Sequence, residues 1–248
     1  MVFPVSYSEI AKGIFAPMSV DAAIDPFVIK QLSKLSPIRL VWTLQNRWLE
    51  SRARSEASVP LSLDRRAIVH FRDDRGDCQI DTAVTQAQLD LLLAAQREAC
   101  RVNTDIAEIG SYRGATTVEF SANTSGTVYA IDPFAGYGGS EQDHTVFKTR
   151  TSGAVNITHI RATSGTAAVD IADASIGMVF IDGVHDFSNS WFDFCAWSAK
   201  ISPSGMVAFH DVDDHPGVRL AVRNLIDMKN GYTIWAYCPN LIVFKKPG

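Results

Sequence analysis

The chain has 248 residues and a formal net charge of −4. Hydrophobic residues make up 46% of it and charged residues 20%, which is ordinary for a globular protein and excludes a largely disordered one. No apolar run approaches the roughly 20 residues that a membrane-spanning helix needs, and the acidic balance argues against a nucleic-acid partner.

Four cysteines, at positions 78, 100, 195 and 238, lie far apart and form no CxxC pair. This spacing is typical of reduced thiols rather than of a disulfide framework or a zinc site. The first residues also lack the pattern of a secretory signal. We therefore expect a cytoplasmic protein.

The first 80 residues show no regular alternation of strands and helices. Residues 25–54 are predicted to be mostly helical, with an interruption at Ser36-Pro37. Two short apolar runs, 67–71 and 78–80, surround an Asp/Gly turn and predict a hairpin. We treat residues 1–80 as an N-terminal extension to a domain formed by residues 81–248.

Strands and helices alternate regularly after residue 80. A capping-box pattern at Thr85 and Gln88 opens the first helix. Seven strands follow, at 105–109, 127–131, 156–160, 177–181, 206–209, 232–237 and 241–244. This order predicts an α/β fold with a doubly wound, mostly parallel seven-stranded sheet. The last two strands are too close for a helical crossover, so we expect an antiparallel C-terminal hairpin.

Polar residues follow or end several predicted strands: Glu108, Asp132, Asp182, His210 and Asp211. A doubly wound sheet binds its ligands at the carboxyl ends of its strands. The sequence therefore predicts that these side chains share one ligand site.

The first strand leads into a loop with the pattern E-x-G-x-x-x-G, in which Glu108 precedes Gly110 and Gly114. Gly110 allows a sharp turn beside a ligand, and Gly114 lets the next helix start close to the sheet. Asp132, at the next strand end, can accept both hydroxyls of a ribose. The dinucleotide spacing G-x-G-x-x-G is absent. An acid at position 108 would repel a diphosphate and suits a cofactor with an ammonium group.

The run Ala107–Thr117, AEIGSYRGATT, followed by Ile131-Asp132, resembles the cofactor motifs of class I S-adenosylmethionine-dependent methyltransferases. It is most similar to the catechol O-methyltransferase-like and small-molecule or sugar O-methyltransferase group, over residues 82–246. The resemblance implies a Rossmann-like methyltransferase fold that binds S-adenosyl-L-methionine. It places Asp132 at the ribose and Ser164 at the adenine, and counts Asp182 with the cofactor pocket. The residues it implies around the methionine end and its loop are Glu108, Gly110, Ser111, Tyr112, Gly114 and Thr116.

A second group of polar residues is implied to carry out the reaction. In metal-dependent relatives, an acid after the fourth strand and two polar residues after the fifth hold a divalent cation; Asp182, His210 and Asp211 match these positions. His185, three residues after the first acid, matches the catalytic base. The family more often has an acid at position 210. The oxygen ligands suit Mg²⁺ or Mn²⁺, whereas the imidazole shifts the preference toward Mn²⁺, Fe²⁺ or Zn²⁺.

These residues predict an S-adenosylmethionine-dependent O-methyltransferase that acts on a hydroxyl of a small molecule or sugar with the help of a divalent metal. Three alternatives remain open: an NAD(P)-dependent oxidoreductase, a binding module without catalysis, and a metal-independent enzyme in which His185 alone is the base. Partners are predicted to include neither nucleic acid nor membrane. Residues 1–80 are expected to cover the acceptor site or to build a homodimer.

Overall fold

A computed structural model describes residues 25–61, 69–70, 82–136 and 139–248 of the chain. The helices in these ranges are α1 (Pro26–Gln31), α2 (Pro37–Glu56), α3 (Gln86–Ala99), α4 (Ala115–Ala122), α5 (Glu141–Thr151), α6 (Ser164–Val169), α7 (Phe187–Ser198) and α8 (Pro216–Asp227). The strands are β1 (Val69–His70), β2 (Ile106–Ile109), β3 (Val128–Ile131), β4 (Ile157–Ile160), β5 (Ile176–Ile181), β6 (Ile201–His210), β7 (Thr233–Cys238) and β8 (Leu241–Lys245).

The strands form one sheet with the order β1-β7-β8-β6-β5-β2-β3-β4. Within the group β2 to β6, all neighbouring strands pair in parallel. Strand β8 runs antiparallel to both β6 and β7. The doubly wound sheet with its antiparallel C-terminal hairpin is therefore confirmed. The two-residue β1, parallel to β7, adds an eighth strand to the seven predicted.

The register of the central strands brings their carboxyl ends to one line. Ile109 of β2 pairs with Ile131 of β3 and with Ile181 of β5, and Ile181 pairs in turn with Phe209 of β6. The residues that follow these four therefore emerge side by side at the same edge of the sheet. This alignment collects polar residues that are up to about a hundred positions apart in the chain.

Apolar side chains cover both faces of the sheet. One core cluster joins β-strand residues to α6, α7, α8 and part of α2, and the other joins them to α3 and Phe120 of α4. The central strand β5 is buried along its whole length, as expected for a parallel strand with helices on both sides.

The N-terminal helix α2 packs against α7 and α8. Leu49 and Ala53 of α2 belong to the same core cluster as those helices. The Phe187 backbone N–H, in the first turn of α7, donates to Glu50 at 3.1 Å. Part of the predicted extension thus shares the core of the domain. Its proposed functions as an acceptor-site cover or a dimer interface stay predictions.

Three features of the fold were not predicted. Helices α5 and α6 were not predicted. Strand β1 pairs with β7, which was not predicted either. The second strand of the predicted hairpin, residues 78–80, lies outside the described residues. Within the part of the chain that the structure describes, Cys100, Cys195 and Cys238 form no disulfide bond. Within the described ranges, no helix is both long enough and apolar enough to cross a bilayer.

Candidate active site

A cavity of about 280 Å³ opens at the carboxyl edge of the sheet. Both predicted groups of residues line it, so the cofactor-side and reaction-side residues share one space. His210 is the exception, since it is buried behind the wall. The predicted residues on the wall are Glu108, Gly110, Ser111, Tyr112, Gly114, Thr116, Asp132, Ser164, Asp182, His185 and Asp211.

The loop after β2 requires glycine at position 110. Its φ is +90°, and a Cβ built there would lie only 2.1 Å from the carbonyl oxygen of Asp182. The backbone of the loop therefore touches the end of β5 directly. Gly114 has a φ of +75° and precedes α4, and a Cβ there would press on the Phe147 ring at 2.9 Å. Gly110 thus lets the loop lie against the sheet, and Gly114 lets the start of α4 lie against α5.

Glu108 lies at the floor of the cavity with 2% of its surface exposed. Its carboxylate accepts a hydrogen bond from the Thr117 hydroxyl. Burial raises the pKa of Glu108 to about 8; the Thr117 hydrogen bond opposes this rise, and the Asp182 and Asp132 carboxylates add to it. A cationic group placed beside Glu108 would favour its charged form.

Asp132 follows β3 and is held by the backbone. The N–H groups of Tyr112 and Phe134 donate to its two carboxylate oxygens at 2.9 and 2.7 Å. Burial nevertheless raises the pKa of Asp132, with these hydrogen bonds opposing the rise. Each carboxylate oxygen keeps a free lone pair, so Asp132 can still accept a ligand hydroxyl.

The hydroxyl groups of the other cofactor-side residues differ in the hydrogen bonds that they already make within the protein. The Ser111 hydroxyl is buried and has no hydrogen-bond partner among the described residues. The Thr116 hydroxyl lies 3.1 Å from that of Thr82. The Ser164 hydroxyl oxygen accepts from the Trp197 indole N–H at 2.9 Å. Ser111 is the hydroxyl most available to a ligand.

Four side chains converge at the other end of the cavity. His210 Nδ1 lies 3.2 Å from Asp182 Oδ1 and 3.3 Å from Asp211 Oδ2. His185 Nε2 lies 3.0 Å from the same Asp211 oxygen and 3.6 Å from Asp182 Oδ1. Neither ring nitrogen makes a well-oriented hydrogen bond within the described residues, although both are buried. Two histidine nitrogens thus lie beside two carboxylates without hydrogen bonds that account for them.

The tautomer of His210 follows from its partner behind the wall. Its Nε2 lies 3.1 Å from Oε1 of Gln88, an oxygen that also accepts the Thr85 N–H at 2.8 Å. The Gln88 amide nitrogen donates to the Pro239 carbonyl, which fixes the orientation of the amide. His210 Nε2 is therefore the donor, and in the neutral ring Nδ1 points its lone pair at Asp182 and Asp211. A lone pair aimed at two carboxylates suits a shared cation.

The two carboxylates control the pKa values of this group. Burial alone would lower the pKa of both histidines, but Asp182 and Asp211 raise it to about 9 for His185 and about 10 for His210. Burial works in the opposite sense on the acids, where the histidines outweigh it and the pKa of each carboxyl falls. The pKa of His185 is raised despite its burial because the ring lies beside two carboxylates.

The loop after β6 shapes the outer side of this group. Asp211 has a φ of +60°, a left-handed conformation that is uncommon for a non-glycine residue, and its carboxylate contacts His210 at 3.3 Å. Asn240 donates to its second oxygen at 3.0 Å. His215 packs against His185 with ring centroids 4.5 Å apart and a tilt of 47° between the rings, and these two histidines form a second group of closely spaced ligand atoms with Asp211.

The sequence did not predict several residues of the cavity or its support. Phe27 of α1, Asn189 and Asp193 of α7 all line the cavity, and Gln88 lies behind His210. Asp193 had a usable signal, since it is an acid within the apolar run Trp191–Trp197. The contribution of Phe27 depends on long-range packing and has no local signal.

Comparison with known proteins agrees with the site. Residues 107–212 match a family model described as a methyltransferase domain. Over this segment, which is less than half of the chain, the sequence is similar to methyltransferases, in agreement with the class I resemblance of its motifs. The match runs from the glycine loop through the residue after Asp211, so it contains both ends of the cavity. S-adenosylmethionine is the methyl donor of this class, and the match favours it over a nicotinamide cofactor.

A curated relative, the uncharacterized protein y4gI of Sinorhizobium fredii, is 29% identical over 114 residues, which is 46% of this chain. The aligned part is only 11% of that protein, so the chain spans about a tenth of the length of this relative.

Three solved structures share the fold of the methyltransferase domain. A proposed caffeoyl-CoA O-methyltransferase of Staphylococcus aureus aligns with a TM-score of 0.53 and 19% identity, over 66% of this chain and 85% of that one. A Corynebacterium glutamicum protein gives 0.55 and 14%, over 89% and 94%. An S-adenosylmethionine-dependent O-methyltransferase of Thermotoga maritima gives 0.51 and 12%, over 68% of both chains.

Proposed function

We propose that the protein transfers the methyl group of S-adenosylmethionine to a hydroxyl of a small molecule or sugar, with His185 as the base and with a divalent cation held by Asp182, His210 and Asp211. The observation that carries the proposal is the position of His210 Nδ1, which lies 3.2 and 3.3 Å from the carboxylates of Asp182 and Asp211. Gln88 directs this nitrogen toward two carboxylates at the end of a cavity whose other end carries Glu108 and Asp132.

The cofactor end has the charges and shape that S-adenosylmethionine requires. Its ammonium and sulfonium groups would lie near Glu108, where they would keep the carboxylate ionised despite its burial. The tight turn at Gly110 exposes the loop backbone to the methionine part, and the Ser111 hydroxyl has no other partner among the described residues. Asp132 would accept the ribose hydroxyls through its free lone pairs.

The reaction end fits a divalent cation. With metal–ligand bonds of about 2.1 Å, neighbouring ligands of an octahedral site lie about 3.0 Å apart. The distances between the ligand atoms of His210, Asp182 and Asp211 are 3.2 and 3.3 Å. Such an ion lowers the pKa of a hydroxyl that binds to it. A nitrogen ligand next to two oxygens favours Mn²⁺ over Mg²⁺, with Fe²⁺ and Zn²⁺ as further candidates.

His185 can accept a proton only in its neutral form. While it shares the carboxylates of Asp182 and Asp211, its pKa is raised to about 9, so it is protonated at neutral pH. Directing the charge of these carboxylates to a cation would return His185 toward its ordinary pKa of about 6.5. This argument favours the metal-assisted enzyme over the alternative in which His185 acts alone. His185 then takes the hydroxyl proton as the oxygen attacks the methyl group in line.

Two observations favour oxygen as the acceptor atom: the carboxylate ligands of the proposed metal site and the solved structures that share this fold. Hard carboxylate ligands suit a cation that binds an alkoxide or phenolate. Two solved structures with this fold are described as O-methyltransferases. The acceptor would enter beside His185 and His215, at the partly exposed end of the cavity.

The cofactor part of the proposal is tested by titration calorimetry. S-adenosylmethionine is titrated into the unaltered protein, into Asp132→Ala, and into Asp227→Ala, an exposed acid of α8 outside the cavity. We expect micromolar binding to the unaltered protein and the control, with a loss of at least tenfold in Asp132→Ala, because two charge-assisted ribose contacts disappear. No binding by the unaltered protein would contradict the proposed function.

A further inference from the structure

The two-residue turn between β7 and β8 lies against the outer side of the proposed metal site. It consists of Pro239 and Asn240, and Asn240 has a φ of +66°. A proline followed by a residue with positive φ suits asparagine or glycine at the second of these positions. The Pro239 carbonyl accepts from the Gln88 amide, which in turn contacts His210. This turn therefore supports one of the three candidate ligands.

The side-chain amide of Asn240 is saturated with hydrogen bonds. Its oxygen accepts the backbone N–H groups of Asp213 and Asp214 at 3.0 and 3.1 Å. Its nitrogen donates to Asp211 Oδ1 at 3.0 Å and to Asp214 Oδ2 at 2.9 Å. Because backbone N–H groups can only donate, the oxygen and nitrogen positions of this amide are fixed. Both donors and both acceptor lone pairs of the amide are therefore used, and its orientation is set by the loop after β6.

The same loop is anchored at Asp213. Asp213 Oδ2 accepts from the Asn240 backbone N–H at 2.7 Å and from the Tyr237 hydroxyl at 2.6 Å. Arg219 of α8 donates to its other oxygen at 2.9 Å. Uncommon backbone conformations persist where the surrounding contacts over-determine them. These contacts hold the loop in which Asp211 has its left-handed φ of +60°.

The two carboxylate oxygens of Asp211 face different partners. Oδ2 lies 3.3 Å from His210 Nδ1 and 3.0 Å from His185 Nε2, whereas Oδ1 accepts from Asn240. An oxygen that accepts a hydrogen bond from a fixed donor is less available to a cation, so Oδ2 is the oxygen left for a ligand. Small divalent ions demand compact octahedral coordination, whereas Ca²⁺ takes more oxygens and often both oxygens of one carboxylate.

We propose that Asn240 is a positioning residue that holds Asp211 as a ligand through one oxygen and thereby favours Mn²⁺ over the larger Ca²⁺. This inference rests on the proposed function, in which Asp211 is a metal ligand. Asn240 acts through Asp211, since its amide is directed at the carboxylate oxygen that faces away from the two histidines. Loss of an outer partner of this kind reduces metal affinity about 10–100-fold.

The test compares the Mn²⁺ and Ca²⁺ affinities of the unaltered protein and of Asn240→Gly. Glycine adopts the positive φ of the turn without strain, so the substitution removes only the amide. The electron paramagnetic resonance signal of free Mn²⁺ gives the first affinity, and displacement of bound Mn²⁺ by Ca²⁺ gives the second. We expect the unaltered protein to prefer Mn²⁺, and Asn240→Gly to bind Mn²⁺ about 10–100-fold more weakly. Its Ca²⁺ affinity should change by less than about threefold, because the freed Asp211 oxygen can join the coordination of the larger ion.

Asn230→Gly is the matched control. Asn230 lies in the turn before β7, where its side chain accepts the Tyr232 N–H at 3.3 Å, and its loss should change neither metal affinity. S-adenosylhomocysteine affinity, measured by titration calorimetry, should stay within about twofold in both variants, since neither asparagine lines the cavity. Thermal unfolding shows whether each variant is folded, and Asn240→Ala replaces the glycine variant if that one does not fold.

An unchanged preference for Mn²⁺ over Ca²⁺ in folded Asn240→Gly or Asn240→Ala would overturn the inference while leaving the proposed function intact. Equal losses of Mn²⁺ and S-adenosylhomocysteine binding would also overturn it, because they would show that Asn240 supports only the fold. If the unaltered protein bound S-adenosylhomocysteine but neither cation, the metal part of the proposed function would fail together with this inference.

Discussion

The two ends of the cavity carry the same residue type in opposite electrostatic situations. At the cofactor end, burial dominates and raises the pKa of Glu108 to about 8 and that of Asp132 above its usual range. At the reaction end, the histidines outweigh burial and lower the pKa of Asp182 and Asp211. The acids at the cofactor end are held by neutral hydroxyl and backbone donors, whereas the acids at the reaction end lie beside two imidazole rings.

This difference indicates what each end requires. Hydroxyl and backbone donors hold the carboxylates at the cofactor end, so a cationic organic ligand is the charge that remains to be added. At the reaction end, the ring nitrogens contact the carboxylates without satisfied hydrogen bonds, so a metal ion that replaces the histidine protons fits better than an organic cation. This contrast supports the proposal that a sulfonium cofactor and a metal bind at separate ends of the cavity.

The largest expected effect is that of His185→Ala. Loss of a general base reduces kcat by about 10²–10⁴-fold, whereas a base that is not a ligand leaves the Mn²⁺ affinity within about threefold. Methyl transfer to an acceptor found by screening gives kcat, and equilibrium dialysis gives the metal affinity. If Mn²⁺ affinity fell with activity, His185 would be a ligand together with His215, as their spacing also allows.

Asp182→Asn should reduce Mn²⁺ affinity by more than about 100-fold. Loss of a residue that only hydrogen-bonds a metal ligand already reduces metal affinity about 10–100-fold, and loss of a direct ligand should reduce it further. Equilibrium dialysis or the electron paramagnetic resonance signal of free Mn²⁺ measures this change. Asp214→Asn, an exposed acid in the loop after β6 and outside both ligand groups, is the control. Equal Mn²⁺ binding by Asp182→Asn and the control would refute the metal site.

Gln88→Leu tests how His210 is held. We expect Mn²⁺ affinity to fall about 10–100-fold, because the leucine no longer fixes the Nε2–H tautomer of His210. Gln96→Leu is a matched control on α3, since Gln96 is also buried but donates to the Phe120 carbonyl, away from the metal ligands. A similar Mn²⁺ affinity in both variants would show that Gln88 supports only the fold.

Glu108→Gln should have opposite effects on binding and stability. Removing the charge weakens S-adenosylmethionine binding about tenfold. Burial raises the pKa of Glu108 in the folded state to about 8, above its ordinary value of 4.5, so ionisation destabilises the folded state and stability declines as the pH rises from 4.5 to 8. At pH 8 the variant should gain about 4 kcal/mol in free energy of unfolding, and at pH 4 almost nothing.

Chemical denaturation at the two pH values measures the stability effect, and calorimetry in buffers of different ionisation enthalpy measures the protons released on binding. At pH 7 the unaltered protein should release close to one proton when it binds the cofactor, because the bound cation lowers the pKa of Glu108. A Glu108→Gln variant that released the same number would show that another group titrates.

Local patterns were enough to predict most of the sheet. Apolar runs that end in Asp132, Asp182 and His210 predicted three parallel strands, and the structure confirms each of them. The capping box at Thr85 and Gln88 is present as predicted. Helix α5 was missed because its sequence has only two strongly apolar residues, although Ser140 and Asp143 form a second capping box that marks its start.

The rest of the site depends on contacts between distant residues. Gln88 lies behind His210 across 122 positions of sequence, and Phe27 reaches the cavity only because α1 and α2 pack on the domain. The raised pKa of His185 likewise follows from Asp211, which belongs to a different strand end. Sequence patterns identified the chemical groups, but only the register of the sheet determines which of them touch.

The nuclear magnetic resonance signal of the S-adenosylmethionine methyl group, followed as Mn²⁺ is added to the complex, tests most directly whether metal and methyl donor share one cavity. We expect strong paramagnetic broadening in the unaltered protein and none beyond that of free Mn²⁺ in Asp182→Asn. A bound cofactor whose methyl signal stays sharp at saturating Mn²⁺ would contradict a shared cavity.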